Sequence, residues 1–420
     1  MKILFFSDNY PPETNAAATR VHERAAYWVK WGHQVTVITC VPNFPHGRVF
    51  DGYQNKWRKE EIIDGVRVIR VKTYIAANRA VLRRTLDFIS YMFTGFLAGV
   101  RIGRPDVVVS TSPQFFAAVA AWALSHFRRI PYVFELGDLW PASISAVGAM
   151  RPNFGLRLLE LLELKMYRDS VAVVALTHAF KDNLVRRSIS GDKVHVVING
   201  VDLWRYGPRD PDSDLVSELG TGDKFVIGYV GTHGMAHALK NVLKAAQRLK
   251  DHNNIHFLFV GAGAERDMLI EYAKDNDLGN VSFLPSQPKD RMPQVWSVCN
   301  VALVHLKDSP AFKEVIPSKI FEAMGMGLPI LMAAPEGEAT KIISKENVGV
   351  CVAPENPDAL ADAAKVLALD AQQTKKYASA SHKAASQYSR EAQAQNMIDV
   401  LKAVTQSDAD ADAHVKSRPR

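Results

Sequence analysis

The chain has 420 residues, of which 47% are hydrophobic and 23% are charged. This length predicts two or three domains with sizeable cores, and the composition excludes collagen-like, disordered and disulfide-stapled chains. The net charge of +7 is concentrated in residues 1–200, which carry +10 and so indicate an anionic partner such as nucleic acid, a phosphorylated substrate or an acidic membrane surface.

The cysteines and the apolar runs indicate the compartment. Cys40, Cys299 and Cys351 are far apart and include no CxxC pair, which favours buried, reduced thiols over a zinc or disulfide site. The run at residues 3–6 is shorter than the roughly 7–15 apolar residues of a signal peptide, and no segment has the ~18 of a spanning helix. We therefore predict a cytoplasmic protein that is not integral to a membrane.

Short apolar runs alternate with helical segments along the first half of the chain. A helix is predicted over residues 20–31, where Gly32 ends it. The predicted strands are mostly apolar on both faces, which is typical of a parallel sheet covered by helices. They lie at residues 2–7, 34–39, 66–71, 107–111, 132–136 and 171–176.

The second half repeats this alternation. Helical patterns over residues 239–250 and 264–276 lie between predicted strands. These strands lie at residues 225–230, 255–260, 281–284, 301–304, 330–332 and 350–352. Two successive strand–helix–strand series predict an α/β protein with two doubly wound domains.

We place the domain boundary in the polar, loop-like segment 202–221. The N-terminal domain then covers residues 1–203, and the C-terminal domain covers residues 204–388. Residues 389–405 have the pattern of an amphipathic helix, and the polar residues 406–420 are expected to be disordered.

Charged and hydroxyl groups lie close together at the start of a predicted helix in residues 312–329, FKEVIPSKIFEAMGMGLP. Pro317 starts a helix well, so Ser318 and Lys319 fall in its first turn. Glu322 lies one turn further on the same face. Backbone N–H groups, a hydroxyl and an ammonium at a helix N-terminus predict a diphosphate site. Glu314, in the preceding loop, can reach a sugar hydroxyl, and Glu322 can accept hydrogen bonds from a ribose.

Three further segments end predicted strands of the same domain, at the edge where open α/β sheets bind ligands. The glycine-rich segment GYVGTHG lets the backbone approach a phosphate closely. Its last residues are Gly231, Thr232, His233 and Gly234. The pair Gly261 and Gly263 indicates either a second ligand loop or simple tight packing. Leu284 and Pro285, at the end of the next strand, can offer backbone groups to a nucleobase.

These motifs together resemble the retaining family 4 glycosyltransferases of the GT-B architecture, over almost the whole chain. The strongest element is the spacing Glu-x7-Glu, met by Glu314 and Glu322. Supporting matches are NGVD at residues 199–202 and YPP at residues 10–12. The segment DLWP at residues 138–141 is similar to a subgroup of bacterial surface-polysaccharide (O-antigen or capsule) transferases that includes N-acetyl-fucosamine transferases.

The resemblance implies two Rossmann-like domains with a cleft between them, the first for the acceptor and the second for the sugar nucleotide. The last helix is then expected to cross back to the first domain. The implied donor is a UDP-sugar carrying an N-acetylated amino or deoxy sugar, and the implied acceptor is a glycan on polyprenyl diphosphate. No metal or other cofactor is expected.

The resemblance also implies roles for individual residues. Lys319 and Ser318 would stabilise the leaving diphosphate, and Glu314 would orient the donor sugar. Asp138 would hold the acceptor or support the sugar from the first domain. Same-face attack, with the donor phosphate taking the acceptor proton, would retain the configuration without a protein nucleophile.

Two positions depart from the family pattern. Members often carry a glycine pair after the first strand, on the acceptor side, where this chain has Asn15 and Ala16. Many also have an arginine after the first strand of the second domain, where Thr232 and His233 stand here. Lys319 is therefore the one cationic phosphate ligand that the sequence predicts, and the pair of cations usual in the family is not matched.

The segment 81–104 predicts a helix with one narrow polar stripe, apolar and aromatic residues elsewhere, and flanking arginines. In a membrane interface it would contact anionic inner-leaflet lipid through Arg83, Arg84, Phe93 and Phe96, making the protein peripheral to the inner membrane. A helix that is apolar nearly all round is equally typical of one buried against a sheet. The sequence leaves both interpretations open.

Other functions compete with sugar transfer. A sugar-nucleotide 2-epimerase can share the architecture, but it needs acid–base groups lining the cleft and no lipid acceptor. An inert nucleotide-binding scaffold is disfavoured because Glu314, Lys319 and Glu322 occur together. Nucleic-acid binding is not expected, because no recognised motif is present and the arginines adjoin apolar runs rather than forming a basic stripe.

Overall fold

The computed structural model describes residues 1–13, 15–44, 47–75, 81–139 and 154–416, without the side chains of residues 16, 81–82, 84 and 407–416. The chain divides into two compact units. Unit 1 contains Met1–Ile198 and Gln393–Arg420, and unit 2 contains Asn199–Ala392. Each unit is a sheet with helices packed on it, which confirms the predicted two-domain α/β fold.

The described part of unit 1 is built on an eight-stranded sheet. Its strands are β1 (Lys2–Phe6), β2 (Gln34–Cys40), β3 (Arg58–Ile63), β4 (Val66–Val71), β5 (Val107–Thr111), β6 (Tyr132–Leu136), β7 (Ala172–Ala175) and β8 (Val194–Val196). The order is β3-β4-β2-β1-β5-β6-β7-β8, and only β3 is antiparallel to its neighbour. Strands such as β5 are buried along their whole length, as the continuous apolar runs predicted.

Helices cover both faces of this sheet. Those before the second unit are α1 (Ala16–Lys30), α2 (Val81–Val100), α3 (Phe115–Arg128), α4 (Phe154–Asp169) and α5 (His178–Arg186). Alternate strand residues face opposite layers, so Leu4 and Phe6 pack with α2 and α3 whereas Ile3 and Phe5 pack with α1. Asn15 caps α1, because its Oδ1 accepts the N–H of Ala18 at 2.9 Å.

Unit 2 is built on a second sheet, which has six strands in the described chain. They are β9 (Phe225–Val230), β10 (Ile255–Val260), β11 (Val281–Leu284), β12 (Val301–His305), β13 (Ile330–Ala333) and β14 (Gly349–Val352). All neighbours are parallel, in the order β11-β10-β9-β12-β13-β14. The strand order reverses between β9 and β12, and open α/β sheets bind ligands at the carboxyl ends beside such a reversal.

The remaining helices lie after β8 in the chain. They are α6 (Ser213–Leu219), α7 (Lys240–Arg248), α8 (Arg266–Asp275), α9 (Met292–Ser297), α10 (Lys319–Met326), α11 (Glu338–Glu346), α12 (Pro357–Leu369), α13 (Ala371–Ala385) and α14 (Arg390–Lys416). From Gln393 on, α14 belongs to unit 1, where Met397 and Ile398 join the core beside α1. The indole N–H of Trp28 donates to Ala394 O at 2.9 Å.

The structure differs from the predicted domain limits at both ends of unit 2. We predicted a boundary at residues 203/204, whereas unit 2 begins at Asn199. The reason is that Val201 N–H donates to Tyr388 O and Val201 O accepts from Arg390 N–H, each at 2.8 Å, so this segment is tied to the end of unit 2. The segment 202–221 was predicted to be loop-like, but it contains α6, which Asp212 caps through the N–H of Leu215 at 3.0 Å.

The predicted disordered tail also differs, because α14 continues to Lys416. Its first turns are fixed by buried apolar side chains, and extending an existing helix costs far less than starting one. Two strands, β3 and β8, were not predicted. None of the described helices is long and apolar enough to cross a bilayer. Cys40 and Cys299 are buried, Cys351 is partly buried, and all three are free thiols.

Candidate functional site

The start of α10 brings the predicted diphosphate ligands together. Ser318 is the N-cap residue and Lys319 is the first helical residue, two positions later than the predicted start at Pro317. Ser318 O accepts the N–H of Phe321 at 3.0 Å, and Pro317 O accepts that of Ile320 at 3.2 Å. Ser318 is exposed, so its hydroxyl is accessible at this helix N-terminus. The helix dipole favours a negative charge there.

Lys319 extends from α10 to the end of β9. Its Nζ lies 3.8 Å from the centre of the Tyr229 ring, and a Cβ atom on Gly231 would lie 2.8 Å from it. Nζ is buried and has no hydrogen-bond acceptor within the described part of the chain. Burial lowers the pKa of Lys319 to about 7, although nearby Glu322 acts in the opposite direction. A buried ammonium without a partner is costly, and a bound anion would remove that cost.

Three histidines surround this lysine without carrying charge at neutral pH. Burial, with a smaller contribution from the positive charge of Lys319, lowers the pKa of His233, His237 and His305 to about 4. His305 Nδ1 lies 2.7 Å from His237 O, and since a carbonyl only accepts, Nδ1 carries the proton. His305 Nε2 is then a buried acceptor, and it has no partner among the described residues.

Glu322 is held by a different donor. The indole N–H of Trp296 donates to Glu322 Oε2 at 3.1 Å. Burial raises the pKa of Glu322, while the Trp296 hydrogen bond and Lys319 act to lower it. No ion pair joins Glu322 to Lys319 in the part of the chain that the structure describes. Glu314 follows a short turn, Pro310–Lys313, and is partly buried in the loop before α10.

The two glycines after β10 are required by chain packing. A Cβ atom on Gly261 would lie 1.9 Å from Gly231 O, and one on Gly263 would lie 2.2 Å from His233 O. Both glycines have positive φ. The two loops therefore lie directly against each other, which is the packing alternative that the sequence left open. Leu284 O accepts the N–H of Gly261 at 3.2 Å, so the end of β11 adjoins the same loop.

The other predicted donor residues differ in accessibility. Thr232 and Pro285 are exposed, and Leu284 and Gly234 are partly buried. The ring of His233 is completely buried beside Phe259 and Phe283, and neither ring nitrogen has a partner within the described residues. The imidazole of His233 is therefore not exposed to a ligand, whereas the neighbouring Thr232 is exposed.

Asp138 lies in unit 1, at the carboxyl end of β6. Its backbone N–H donates to Ser112 Oγ at 3.1 Å, and Ser112 Oγ donates to Asp138 O at 3.0 Å, which fixes Asp138 beside the end of β5. The side chain is partly buried. Asn15 Oδ1 is used as the α1 cap. Trp140 and Pro141 of the DLWP segment and the side chain of Ala16 lie outside the described residues.

The helix over residues 81–104 both covers the sheet and presents an apolar face. Tyr91 of α2 is buried in the unit 1 core, and Phe96 is partly buried against it, 5.9 Å from the Phe127 ring. Phe93, in contrast, is 61% exposed and Leu97 is 48% exposed. Arg83 is exposed, and the side chain of Arg84 lies outside the described residues. One face of this helix is thus packed on the core, as one of the two alternatives predicted, and the other face is exposed.

Sequence reasoning missed several residues of this site. Tyr229 lies in β9 and His305 ends β12, and the sequence does not distinguish either from an ordinary residue of a buried strand. Trp296 lies 26 residues before its partner Glu322, and His237 lies 68 residues before its partner His305. No local sequence pattern links the members of either pair. The one available signal was position, since β9 and β12 flank the reversal of strand order.

Solved structures define the class of this fold. Sucrose-phosphate synthase from Thermosynechococcus elongatus matches with a TM-score of 0.77 and 16% identity, over 97% of this chain and 99% of that one. Anabaena HepE, in complex with UDP, matches with a TM-score of 0.71 and 20% identity, over 96% of this chain and 100% of that one. The chain has the GT-B fold of glycosyltransferases.

Family models and a curated relative identify the family. A model described as glycosyl transferases group 1 matches residues 214–387, and a glycosyl transferase 4-like domain matches residues 15–200. The chain is a family 4 glycosyltransferase. A relative is WcaI of Escherichia coli (strain K12), whose name assigns it provisionally as a colanic acid biosynthesis glycosyl transferase. It is 27% identical over 86% of this chain and 90% of its own length.

Proposed function

We propose that this glycosyltransferase moves a sugar from a UDP-sugar, bound in unit 2, to a lipid-linked glycan of a bacterial surface polysaccharide. One observation carries the proposal: the buried Nζ of Lys319, without an acceptor among the described residues, at the N-terminus of α10. This arrangement suits a diphosphate. The UDP complex of HepE supports the donor, and the name of WcaI supports the pathway.

In the proposed reaction the nucleoside diphosphate leaves as the acceptor oxygen attacks the same face of the sugar. The bond from the anomeric carbon to the phosphate oxygen breaks, and the bond to the acceptor oxygen forms. The acceptor proton passes to the departing phosphate, so no protein nucleophile is needed and the configuration is retained. Lys319 and the start of α10 stabilise the charge that develops on the phosphate. Because they supply this positive charge, we propose that the reaction needs no metal.

Carboxylates orient the two sugars in this proposal. Glu314 holds a hydroxyl of the donor sugar, and Glu322 accepts from the ribose while the Trp296 N–H fixes one of its oxygens. Asp138 accepts from a hydroxyl of the acceptor, at a position that Ser112 fixes. The N-acetylated amino or deoxy sugar expected from the DLWP segment stays part of the proposal.

We also propose that unit 1 meets the anionic inner-leaflet surface on which a polyprenyl diphosphate acceptor would lie. The exposed face of α2 supports this proposal, because Phe93 and Leu97 point away from the core. Exposed arginines, Arg83 before them and Arg101 after them, can contact lipid phosphates. Membership of the glycosyltransferases favours sugar transfer over the epimerase and scaffold alternatives.

Calorimetric titration with UDP, GDP and ADP, in the presence of a chelator, tests the donor site. We expect UDP to bind best and Lys319→Ala to weaken its binding by about 1.5–3 kcal/mol, the range for a hydrogen bond to a charged group. The exposed Lys376 on α13 provides a matched control, since Lys376→Ala removes a lysine of unit 2 without affecting the site. Equal UDP affinity in the wild type and Lys319→Ala would refute the assignment of Lys319.

A further inference from the structure

Tyr229 contacts Lys319, the residue proposed to bind the diphosphate, and the proposed reaction gives Tyr229 no role. It is completely buried in β9, where it pairs in register with Phe259 of β10. The 3.8 Å between its ring centre and Lys319 Nζ is the shortest separation of a cation and a ring among the described residues. At this distance an ammonium over a ring is attracted by the negative π face.

Among the described residues, the groups that favour the charged form of this lysine are the Tyr229 ring, which lies against Nζ, and Glu322. From β9 and the loop after it the lysine faces His233 and His237, and from β12 it faces His305, all neutral near pH 7. From its own helix it faces Glu322, which is bonded to Trp296. The positive charge of Arg266 in α8 lowers the pKa of His233, and the negative charge of Glu355, after β14, acts to raise the pKa of His305.

Tyr229 forms a fixed platform. Its hydroxyl donates to Thr232 O at 2.8 Å, which closes the turn after β9. Its ring meets His237 edge-on at 5.9 Å and packs against Phe259 at 6.1 Å. Gly231 leaves room for the ammonium above the ring, because any Cβ there would lie 2.8 Å from Nζ. The Tyr229 ring and the absence of a side chain at Gly231 therefore together define the position of the Lys319 ammonium.

We propose that the ring of Tyr229 is a positioning residue that keeps the Lys319 ammonium charged and in place to receive the donor diphosphate. An aromatic face stabilises the cation without using a counter-charge, so no ion pair has to break when the phosphate arrives. A saturated side chain in its place would leave the ammonium in an apolar pocket, which favours the neutral amine. This inference rests on the proposed function.

Two substitutions separate the ring from its hydroxyl. Tyr229→Leu is expected to weaken UDP binding roughly 3- to 30-fold, the equivalent of a partly to fully desolvated cation–π contact, whereas Tyr229→Phe stays within about twofold of the wild type. Uridine, which has no phosphate, should bind all three proteins with equal affinity. Equal losses for Tyr229→Phe and Tyr229→Leu, or equal losses for UDP and uridine, would overturn the proposal. If Tyr229→Leu does not fold, Tyr229→Met replaces it at similar volume.

Two further measurements exclude a merely structural role. The pH at which UDP affinity begins to fall should be lower for Tyr229→Leu than for the wild type, and Tyr229→Leu should have no added effect in Lys319→Ala. Tyr272→Leu is the matched control, because Lys240 lies over Tyr272 at 5.1 Å in the same unit.

If Lys319→Ala leaves UDP affinity unchanged, the proposed function fails. If Lys319→Ala weakens binding and Tyr229→Leu does not, the inference alone fails.

Discussion

At the scale of single residues, the donor site depends on how a buried lysine keeps its proton. Burial lowers the pKa of Lys319 to about 7, while Glu322 acts in the opposite direction and the Tyr229 ring lies 3.8 Å from the ammonium. A lysine with an ordinary pKa would stay charged over the whole physiological range. Here the charge of the empty site changes within that range, so diphosphate binding is linked to proton binding.

We predict that UDP affinity falls as the pH rises above about 7. Above this pKa the empty site contains the neutral amine, whereas a bound diphosphate favours the ammonium and raises the pKa of Lys319. Each complex then takes up a proton, and the affinity declines towards about tenfold per pH unit. The terminal phosphate of UDP, with its last pKa near 6, keeps its charge in this range. Titrations between pH 6.5 and 8.5 measure the effect.

Lys319→Arg is the control for this linkage. A guanidinium stays protonated at every pH used, so the affinity of Lys319→Arg for UDP should not change between pH 6.5 and 8.5, whatever its absolute value. A wild-type affinity that is equally flat would mean that Lys319 keeps its charge in the empty site. A pH dependence that persists unchanged in Lys319→Arg would assign the titration to another group.

Single residues also limit what the sequence can reveal. The helix start with Ser318 and Lys319 was predictable, because capping and proline preferences are local. The neighbours of Lys319 were not, since Tyr229 is 90 positions away and looks like a core residue of a strand. The pattern at Gly261 and Gly263 fits both a ligand loop and a packed loop, and the packing is visible only in three dimensions, where an added Cβ atom would lie 1.9 Å and 2.2 Å from backbone oxygens of the neighbouring loop.

At the scale of elements, α2 has two faces with different expected roles. Phe96 packs with the core, so its replacement should destabilise unit 1. Phe93 and Leu97 are exposed, so serine at both positions should leave stability almost unchanged. We predict that the double variant Phe93→Ser, Leu97→Ser binds anionic liposomes much more weakly than the wild type, because about 1.5–3 kcal/mol of apolar burial per side chain is lost.

Co-sedimentation with vesicles measures this binding, and the melting temperature checks the fold. Leu369, exposed at the end of α12 in unit 2, gives the matched control, since Leu369→Ser removes an equally exposed apolar side chain outside α2. Unchanged vesicle binding by the double variant would show that α2 does not contact the lipid.

Elements also explain why most of the fold was predictable and part of it was not. The buried parallel strands are apolar runs, and their limits agree with the sequence to within about two residues. Strand β3 has the polar sequence RKEEII and alternating exposure, because it lies at the sheet edge. It is stabilised by cross-strand charges, as Glu60 pairs with Arg67 at 2.7 Å and Glu61 with Arg70. A search for apolar alternation does not find such a strand.

At the scale of the whole molecule, the last helix stabilises the first unit. Ile398 of α14 is completely buried in the core that contains Trp28, although Tyr388, ten residues earlier, belongs to unit 2. Unit 2 has a core of its own, built from residues such as Ile227 and Leu243. A change at the end of the chain should therefore act on unit 1 and leave the donor site in unit 2 intact.

We predict that Ile398→Ala destabilises unit 1 by about 2–5 kcal/mol, the usual cost of emptying a buried aliphatic site, while UDP affinity changes less than about twofold. Hydrogen exchange of peptides from each unit, with and without UDP, resolves the two effects. Exchange should accelerate in β1 and α1, whereas β9 and α10 should stay protected and gain protection from UDP as in the wild type. Asn396→Ala, at an exposed position of the same helix, should change neither unit. Equal loss of protection in both units would mean that they unfold as one cooperative structure, and the stability of the donor site would then depend on α14 as well.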